Sequence, residues 1–185
     1  KLLTALSLKL MDAPSSGAIA SISPPDALKR VLEIEVHFPM TYAFAAVQPP
    51  PRLQVLRVHS PRKGAWPSAF NEFFLGCAGT VQRLEIDDQS FALELNSVLP
   101  NLVTLNLVLR RLRMVGQPAL TEMTLAVEES LELGDCPSLY CATIEFRNRK
   151  ARVAIEGCAN LEELGMVRHF GHVESLPLLP PTLSK

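Results

Sequence analysis

Tyrosine and tryptophan are almost missing from this chain, two and one in 185 residues, and all aromatics together reach only 6%. A stacking platform for single-stranded nucleic acid needs aromatic faces at successive bases, so none is expected. Surplus positive charge is missing too: eighteen Lys and Arg stand against nineteen Asp and Glu, a net charge of -1. Nucleic-acid binders draw most of their affinity from neutralising phosphates, and this balance excludes that class of partner. No apolar run approaches the ~20 residues needed to cross a bilayer, so no membrane partner is expected either. Four Cys are far too few for a disulfide-stapled secreted domain, which makes a reducing, cytoplasmic setting the simpler expectation. No phosphate-binding glycine loop, dinucleotide fingerprint, Gly-x-Ser-x-Gly elbow or His-Glu-x-x-His helix occurs. The chain therefore reads as a non-enzyme without a cofactor. It opens on Lys-Leu-Leu-Thr, with neither an initiator Met nor a leader pattern, and is expected to be part of a longer polypeptide.

What is abundant is leucine, 30 of 185 residues, and it recurs in register. An apolar-x-x-apolar-x-apolar frame gives Leu3/Leu6/Leu8, Leu53/Leu56/Val58, Val81/Leu84/Ile86 and Leu102/Leu105/Leu107. It continues through Leu120/Met123/Leu125, Leu139/Ala142/Ile144 and Leu161/Leu164/Met166, with a looser copy at Leu28/Leu32/Ile34. Starting positions 102, 120, 139, 161 and 183 are 18, 19, 22 and 22 residues apart. A second period lies between these segments: the pairs Leu112/Met114, Leu131/Leu133, Val153/Ile155 and Leu176/Leu178, each followed by a turn rich in Gly or Pro. A unit of two short strands cannot shelter its own apolar face, whereas a stack of units buries a continuous core. The whole of residues 1–185 is thus expected to form one solenoid domain of about eight repeats.

The first half closes its units differently. Phe70, Phe73 and Phe74 after Pro67 have helical spacing, as do Phe91, Leu95 and Leu99 after a possible N-cap at Ser90. Helices are therefore expected on the outer, convex side of the first half and short strands on that side of the second.

The segments Leu-Gln-Val-Leu-Arg-Val (53 to 58), Leu-Val-Thr-Leu-Asn-Leu (102 to 107) and Leu-Glu-Glu-Leu-Gly-Met (161 to 166) resemble leucine-rich repeats. The resemblance implies an α/β solenoid with a parallel concave sheet that binds protein. Arg110, Glu128, Arg147 and His169 fall at or near the place of that family's usual Asn, so irregular units are expected. The Cys-Pro-x-Leu and Cys-Ala-Asn-Leu turns look like irregular intracellular repeats of plant nucleotide-binding immune receptors or F-box substrate receptors. Leu-Pro-Pro-Thr-Leu looks like the turns of bacterial leucine-rich-repeat effectors.

Strand alternation exposes the residues between the buried ones. The expected protein-binding surface comprises Glu33, Glu35 and His37; Arg57 and His59; Arg83, Glu85 and Asp87; Thr104 and Asn106; Glu122 and Thr124; Thr143 and Glu145; and Glu163. One column is expected to run Glu33, Arg57, Glu85, Asn106, Thr124, Thr143, Gly165, charged at one end and small at the other. A solvated, self-neutralised face is the competing reading. His37, His59 and Asp87 fall on consecutive strands and have the chemistry of a zinc site, but exposed histidines are common and no metal is assigned. Cys77, Cys136 and Cys158 recur before successive frames and are expected to pack beneath the turns, rather than to act as a redox or metal set. Cys141 points outward, with no nearby His in sequence to activate it. Two basic clusters, Arg110-Arg111-Leu-Arg113 and Arg147-Asn-Arg-Lys-Ala-Arg152, are expected on one rim. There they form inter-unit ion pairs, or alternatively recognise acidic segments or phosphate. The partner is expected to be another protein on the concave face, inside a larger receptor or adaptor, with other domains of the same chain alongside. The alternatives are the recognition half of an enzyme such as a ubiquitin ligase, and a purely structural scaffold.

Overall fold

The computed structural model describes residues 5–9, 30–37, 49–59, 74–95 and 98–168. They build a parallel β-solenoid. Its strands are β1 (Ala5–Lys9), β2 (Glu33–His37), β3 (Val55–His59), β4 (Arg83–Leu95), β5 (Thr104–Val115), β6 (Glu122–Gly134), β7 (Cys141–Phe146), β8 (Arg152–Glu156) and β9 (Glu163–Arg168). Pairing follows chain order from β1 to β7 and then β9, with β8 beside β6, and every pair is parallel. Each coil therefore lies directly on the one before it.

Register explains the leucines. Leu6, Ile34, Leu56, Leu84, Leu105, Met123, Ala142 and Leu164 are partners in sequence, one per coil. The residue three positions earlier is fully buried in seven coils: Val31, Leu53, Val81, Leu102, Leu120, Leu139 and Leu161. Burying one such side chain contributes roughly 1.5–3 kcal/mol relative to exposure. A coil is thus held chiefly by what it stacks against. The second coil needs a correction. Leu28 lies outside the described residues; Val31 and Ile34 are the buried pair of this coil and Val36 stands opposite Val58, a regular spacing in place of the looser Leu28/Leu32/Ile34.

The turn before each frame is equally repetitive. Leu53, Leu102, Leu139 and Leu161 donate their N–H to the carbonyls of Pro50, Leu99, Cys136 and Cys158, at 3.1 to 3.2 Å. These are four-residue turns, and Pro51, Pro100 and Pro137 occupy the second position, where a fixed φ suits the bend. One residue after the frame begins, a single carbonyl accepts two N–H groups from the next coil. This column runs Leu32, Gln54, Gln82, Val103, Thr121, Tyr140, with bonds of 2.8 to 3.2 Å. Asn101 and Asn160 add side-chain bonds of 2.7 Å to Gly79 and Pro137 in the preceding turn. Gln117, fully buried, accepts from Leu99 N–H at 2.9 Å and donates to Val115 at 3.1 Å. A further column, Gly116, Asp135 and Gly157, adopts positive φ of 72°, 51° and 66°.

The expected α/β fold with convex helices is overturned. Residues 90–95 belong to strand β4, where Leu93 and Leu95 partner Leu112 and Met114. Phe91, Leu95 and Leu99 do fit a helical period, but Leu93 and Leu95 fit period two as well, and a short apolar run does not discriminate. Stacking decides. A helix is about 10 Å across, whereas this coil must sit about 4.8 Å from the next and supply edge partners to β5. Of the other expected helix, residues 67–73 lie outside the described residues, and one helical turn spans 74–77. In the second half Leu112/Met114, Leu131/Leu133 and Val153/Ile155 lie in strands, whereas Leu176/Leu178 is outside the described residues. β4, β5 and β6 each continue from one sheet arm into a second through a break in register, after Asp88 in β4 and after Leu109 in β5. The break bends the strand at a corner and resets which residues point inward.

Two stability series test this architecture. Leu105→Ala should cost about 3 kcal/mol in urea denaturation, within the range for a buried leucine, while Thr124→Ala on the outer face should cost under ~0.5 kcal/mol. Gly116→Ala should cost about 1 kcal/mol from its backbone alone. Gly157→Ala should cost more, because its new Cβ would lie 2.5 Å from Asp135 Oδ1 and 2.8 Å from Asp135 N.

Candidate functional site

The outer face of the first sheet arm carries three columns in register. The first is Glu33, Val55, Arg83, Thr104, Glu122, Cys141, Glu163. The second is Glu35, Arg57, Glu85, Asn106, Thr124, Thr143, Gly165, and the third His37, His59, Asp87, Val108, Ala126, Glu145, Val167. Every residue expected on the surface therefore lies on this one arm. Glu35, and not Glu33, heads the central column, a correction that follows from the frame of the second coil. The side chain of His37 lies outside the described residues.

Strands β2, β3 and β4 are closed electrostatically. Arg57 Nε bonds Glu85 Oε2 at 3.0 Å, and its Nη1 reaches diagonally to Glu33. Arg83 Nε takes the other oxygen of Glu85, leaving that carboxylate side chain only 17% exposed. His59 Nε2 stands 3.5 Å from Glu35 Oε1. Exposed pairs of this kind contribute about 0–1 kcal/mol each. Their larger effect is to fix the long side chains flat along the strands. Among the described residues no group of three or more His, Cys, Asp and Glu is arranged to hold a metal ion.

The remaining strands differ. Asn106, Thr124, Thr143 and Gly165 are exposed and short, and Thr104 is partly exposed. A flanking acidic edge is formed by Glu122 and Glu163 on either side of Cys141. Burial, then a hydrogen bond to Glu163, raises the Cys141 thiol above its ordinary range, so it is not an activated nucleophile. Glu162 and Glu163 likewise raise Tyr140.

Beneath the turns, Cys77, Cys136 and Cys158 are all buried. Cys136 and Cys158 occupy matching places in adjacent coils, each with its sulfur 3.5 Å from the carbonyl two residues earlier, of Gly134 and Glu156. The hydrogen bond between the two thiols, with burial, pushes Cys136 up. The same bond brings Cys158 down to about 7. Burial pushes Cys77 up to about 12.

At the corner between the arms, both basic clusters meet acids of an adjoining coil or strand. Glu129 pairs with Arg111 and lies 3.8 Å from Arg110 Nε, Glu132 is 3.3 Å from Arg113, and Glu145 is 3.1 Å from Arg147. Two features escaped the sequence reading. Gln117 looked like an ordinary turn residue, and Asp88 is a buried carboxylate in an otherwise apolar column with Leu109, Val127 and Phe146. The repeat spacing does signal Gln117, since it stands where Cys136 and Cys158 stand.

Set beside known proteins, the chain matches no protein-family model, no curated protein and no solved structure.

The thiol of Cys77 gives a pH prediction. In an unfolded chain it ionises near 9.0, and in the native state it keeps its proton to about 12. The native state thus binds more protons over that window, so this contribution is intact below pH 9 and is lost as pH climbs toward 12. Between pH 9 and 10.5 the wild type should lose stability relative to Cys77→Ala, by roughly 1 kcal/mol per pH unit, in paired urea titrations. Parallel losses in the two proteins would contradict it.

Proposed function

We propose that this chain is a protein-interaction module that binds a partner on the outer face of its first sheet arm, within a larger receptor or adaptor. The observation that carries this reading is the run Asn106, Thr124, Thr143, Gly165: four short, uncharged, exposed residues on adjacent strands with acids beside them. Short side chains let a partner's backbone approach the sheet, and the ion-paired half beside them offers fixed charges that select against wrong partners. The seven strands from β2 to β9 along this arm span about 29 Å at 4.8 Å per strand, and five to six residues of strand add about 18 Å in the other direction. That area is a large part of the ~800 Å² that each partner buries in an ordinary stable interface.

The inward frame supports an affiliation with leucine-rich repeats, of an irregular kind whose second side is built from strands. On this reading the segment performs no catalysis, works in the cytoplasm, and recognises protein and neither nucleic acid nor membrane. Recognition on behalf of a ligase domain elsewhere in a longer chain uses the same face and is the runner-up.

Replacing Thr124 and Thr143 together by Arg should leave the urea midpoint within ~0.5 kcal/mol and reduce capture of partners from cell extract at least tenfold. Swapping the charges of Arg57, Arg83 and Glu85 together should preserve the fold, since the three can pair again and only the half-exposed contact with Glu33 turns repulsive, and should also lose the partner. Undiminished capture by both variants would refute a binder on this face and favour a scaffold.

A further inference from the structure

We infer that Cys136 and Cys158 form a peroxide-responsive thiol pair, which closes to a disulfide between two stacked turns and opens again on reduction. This modification site lies beneath the turns, apart from the binding face, and does not depend on it.

Register brings the two residues together. Gly134 partners Glu156 before the turn and Cys141 partners Glu163 after it, both at an offset of 22 residues. Cys136 and Cys158 share that offset, so they face each other across one coil spacing, about 4.8 Å. That lies within the roughly 4.4–6.8 Å that separates the Cα atoms of a disulfide. The turns themselves match. Leu139 N–H bonds the Cys136 carbonyl at 3.1 Å, and Leu161 N–H bonds the Cys158 carbonyl at 3.2 Å. Asn160 Nδ2 fastens one turn to the other through the Pro137 carbonyl at 2.7 Å. Each sulfur stands 3.5 Å from the carbonyl two residues earlier, so both side chains leave the backbone in the same direction and the thiols meet. Packing beneath a turn asks only for burial; cysteines in successive coils also set sulfur beside sulfur.

The pair is asymmetric, as such chemistry requires, because the thiolate is the nucleophile. The Cys136 thiol, helped by the Cys136 N–H, bonds the Cys158 sulfur and holds it near 7 against burial and the Asp135 carboxylate. Cys158 lies under a thin cover, with Gly157 and Ala159 on either side exposed. The oxidant is therefore small, hydrogen peroxide or a short hydroperoxide, and not a bulky disulfide. In the first step the Cys158 thiolate attacks one peroxide oxygen and the O–O bond breaks. This gives a sulfenic acid and a hydroxide, which takes a proton from solvent. In the second, the Cys136 sulfur attacks that of Cys158; the S–S bond forms, the S–O bond breaks, and the hydroxyl leaves with the Cys136 proton as water. Two thiols thus give two electrons and two protons to one peroxide, which becomes two waters. Cys77, pushed up to about 12 by burial, and Cys141, raised by burial and then by Glu163, stay reduced. The bond ties the turn before β7 to the turn before β9, the strands that carry Thr143 and Gly165.

The test treats the folded chain with a modest excess of hydrogen peroxide near neutral pH, caps the remaining thiols and maps tryptic peptides without reduction. Cleavage after Arg113, Arg147, Arg152 and Arg168 leaves Cys136 and Cys141 on one peptide and Cys158 on another. The two peptides should be found joined, equally in the wild type and in Cys141→Ala, and should separate in dithiothreitol. The joined species should form at least about tenfold faster than Cys77 or Cys141 is oxidised. Cys136→Ala should let dimedone trap a sulfenic acid at Cys158, whereas Cys158→Ala should yield none at Cys136. The oxidised wild type should melt about 5 °C or more above the reduced chain, and Cys136→Ala should show no such rise. A cross-link that forms only in urea, one that joins Cys141, or over-oxidation of Cys158 without any cross-link would overturn the pair. The wild-type map needs no variant to fold, and no readout involves Thr124 or a partner, so this site and the binding face fail independently.

Discussion

A parallel coil must hand its N–H and C=O groups to the next coil at a fixed spacing of about 4.8 Å, and every other feature of this molecule answers to that demand. The clearest expression is the column of carbonyls from Leu32 to Tyr140, each accepting two N–H groups from the coil above. It pins the start of every frame. From that point alternation alone aims Leu56, Leu84, Leu105 and their partners inward, because a slip of one residue would turn the whole set to solvent. Between pinned points the constraint lapses. Successive frame positions are 28, 22, 28, 21, 18, 19 and 22 residues apart from Leu6 to Leu164, so coil length varies freely while phase does not. Loop-closure entropy rises only slowly with length, which makes such variation inexpensive.

This separation of phase from length accounts for what was legible. The frame could be read from the sequence in its six copies from Leu53 to Leu161 because stacking requires it of every coil, and the outward columns follow by simple alternation except that Glu35, not Glu33, stands beside Arg57. The second coil departs from its expected frame for an instructive reason. Leu28, Leu32 and Ile34 offer three leucine-like positions, whereas the structure buries Val31 and Ile34 and sets Val36 opposite Val58, trading leucine identity for spacing. Spacing is what stacking tests; identity is what the eye counts. The helix expected at 90–99 failed in the same way. Its apolar residues satisfied two periods at once, and only the presence of Leu112 and Met114 alongside selects the strand.

Corners were illegible because they obey no common phase. One residue lies between the paired segments of β5, two in β6 and five between β7 and β8. No count of apolar positions announces where a strand bends. The turn column is a middle case. Cys136 and Cys158 could be matched from sequence, but Gln117 joins them only when position outranks chemistry, since an amide there is satisfied by Leu99 N–H and the Val115 carbonyl instead of by packing. Asp135 shows the same principle in the backbone: it takes the positive φ that glycine takes in the coils on either side.

The distribution of charge on the outer face then follows from how a ladder treats long side chains. Like charges stacked on adjacent strands repel, and unlike charges bind each other flat against the sheet. Glu85 accepting from both Arg57 and Arg83 is the second case carried to completion, and it leaves that stretch of face covered by its own residues. At Asn106, Thr124, Thr143 and Gly165 the ladder holds nothing long enough to cover it. Backbone and short polar groups there stay open to whatever arrives, and desolvating them requires no ion pair to be broken. On the proposed reading, a partner docking on this arm gains most over the later strands, where no long side chain covers the sheet, and is oriented by the earlier ones.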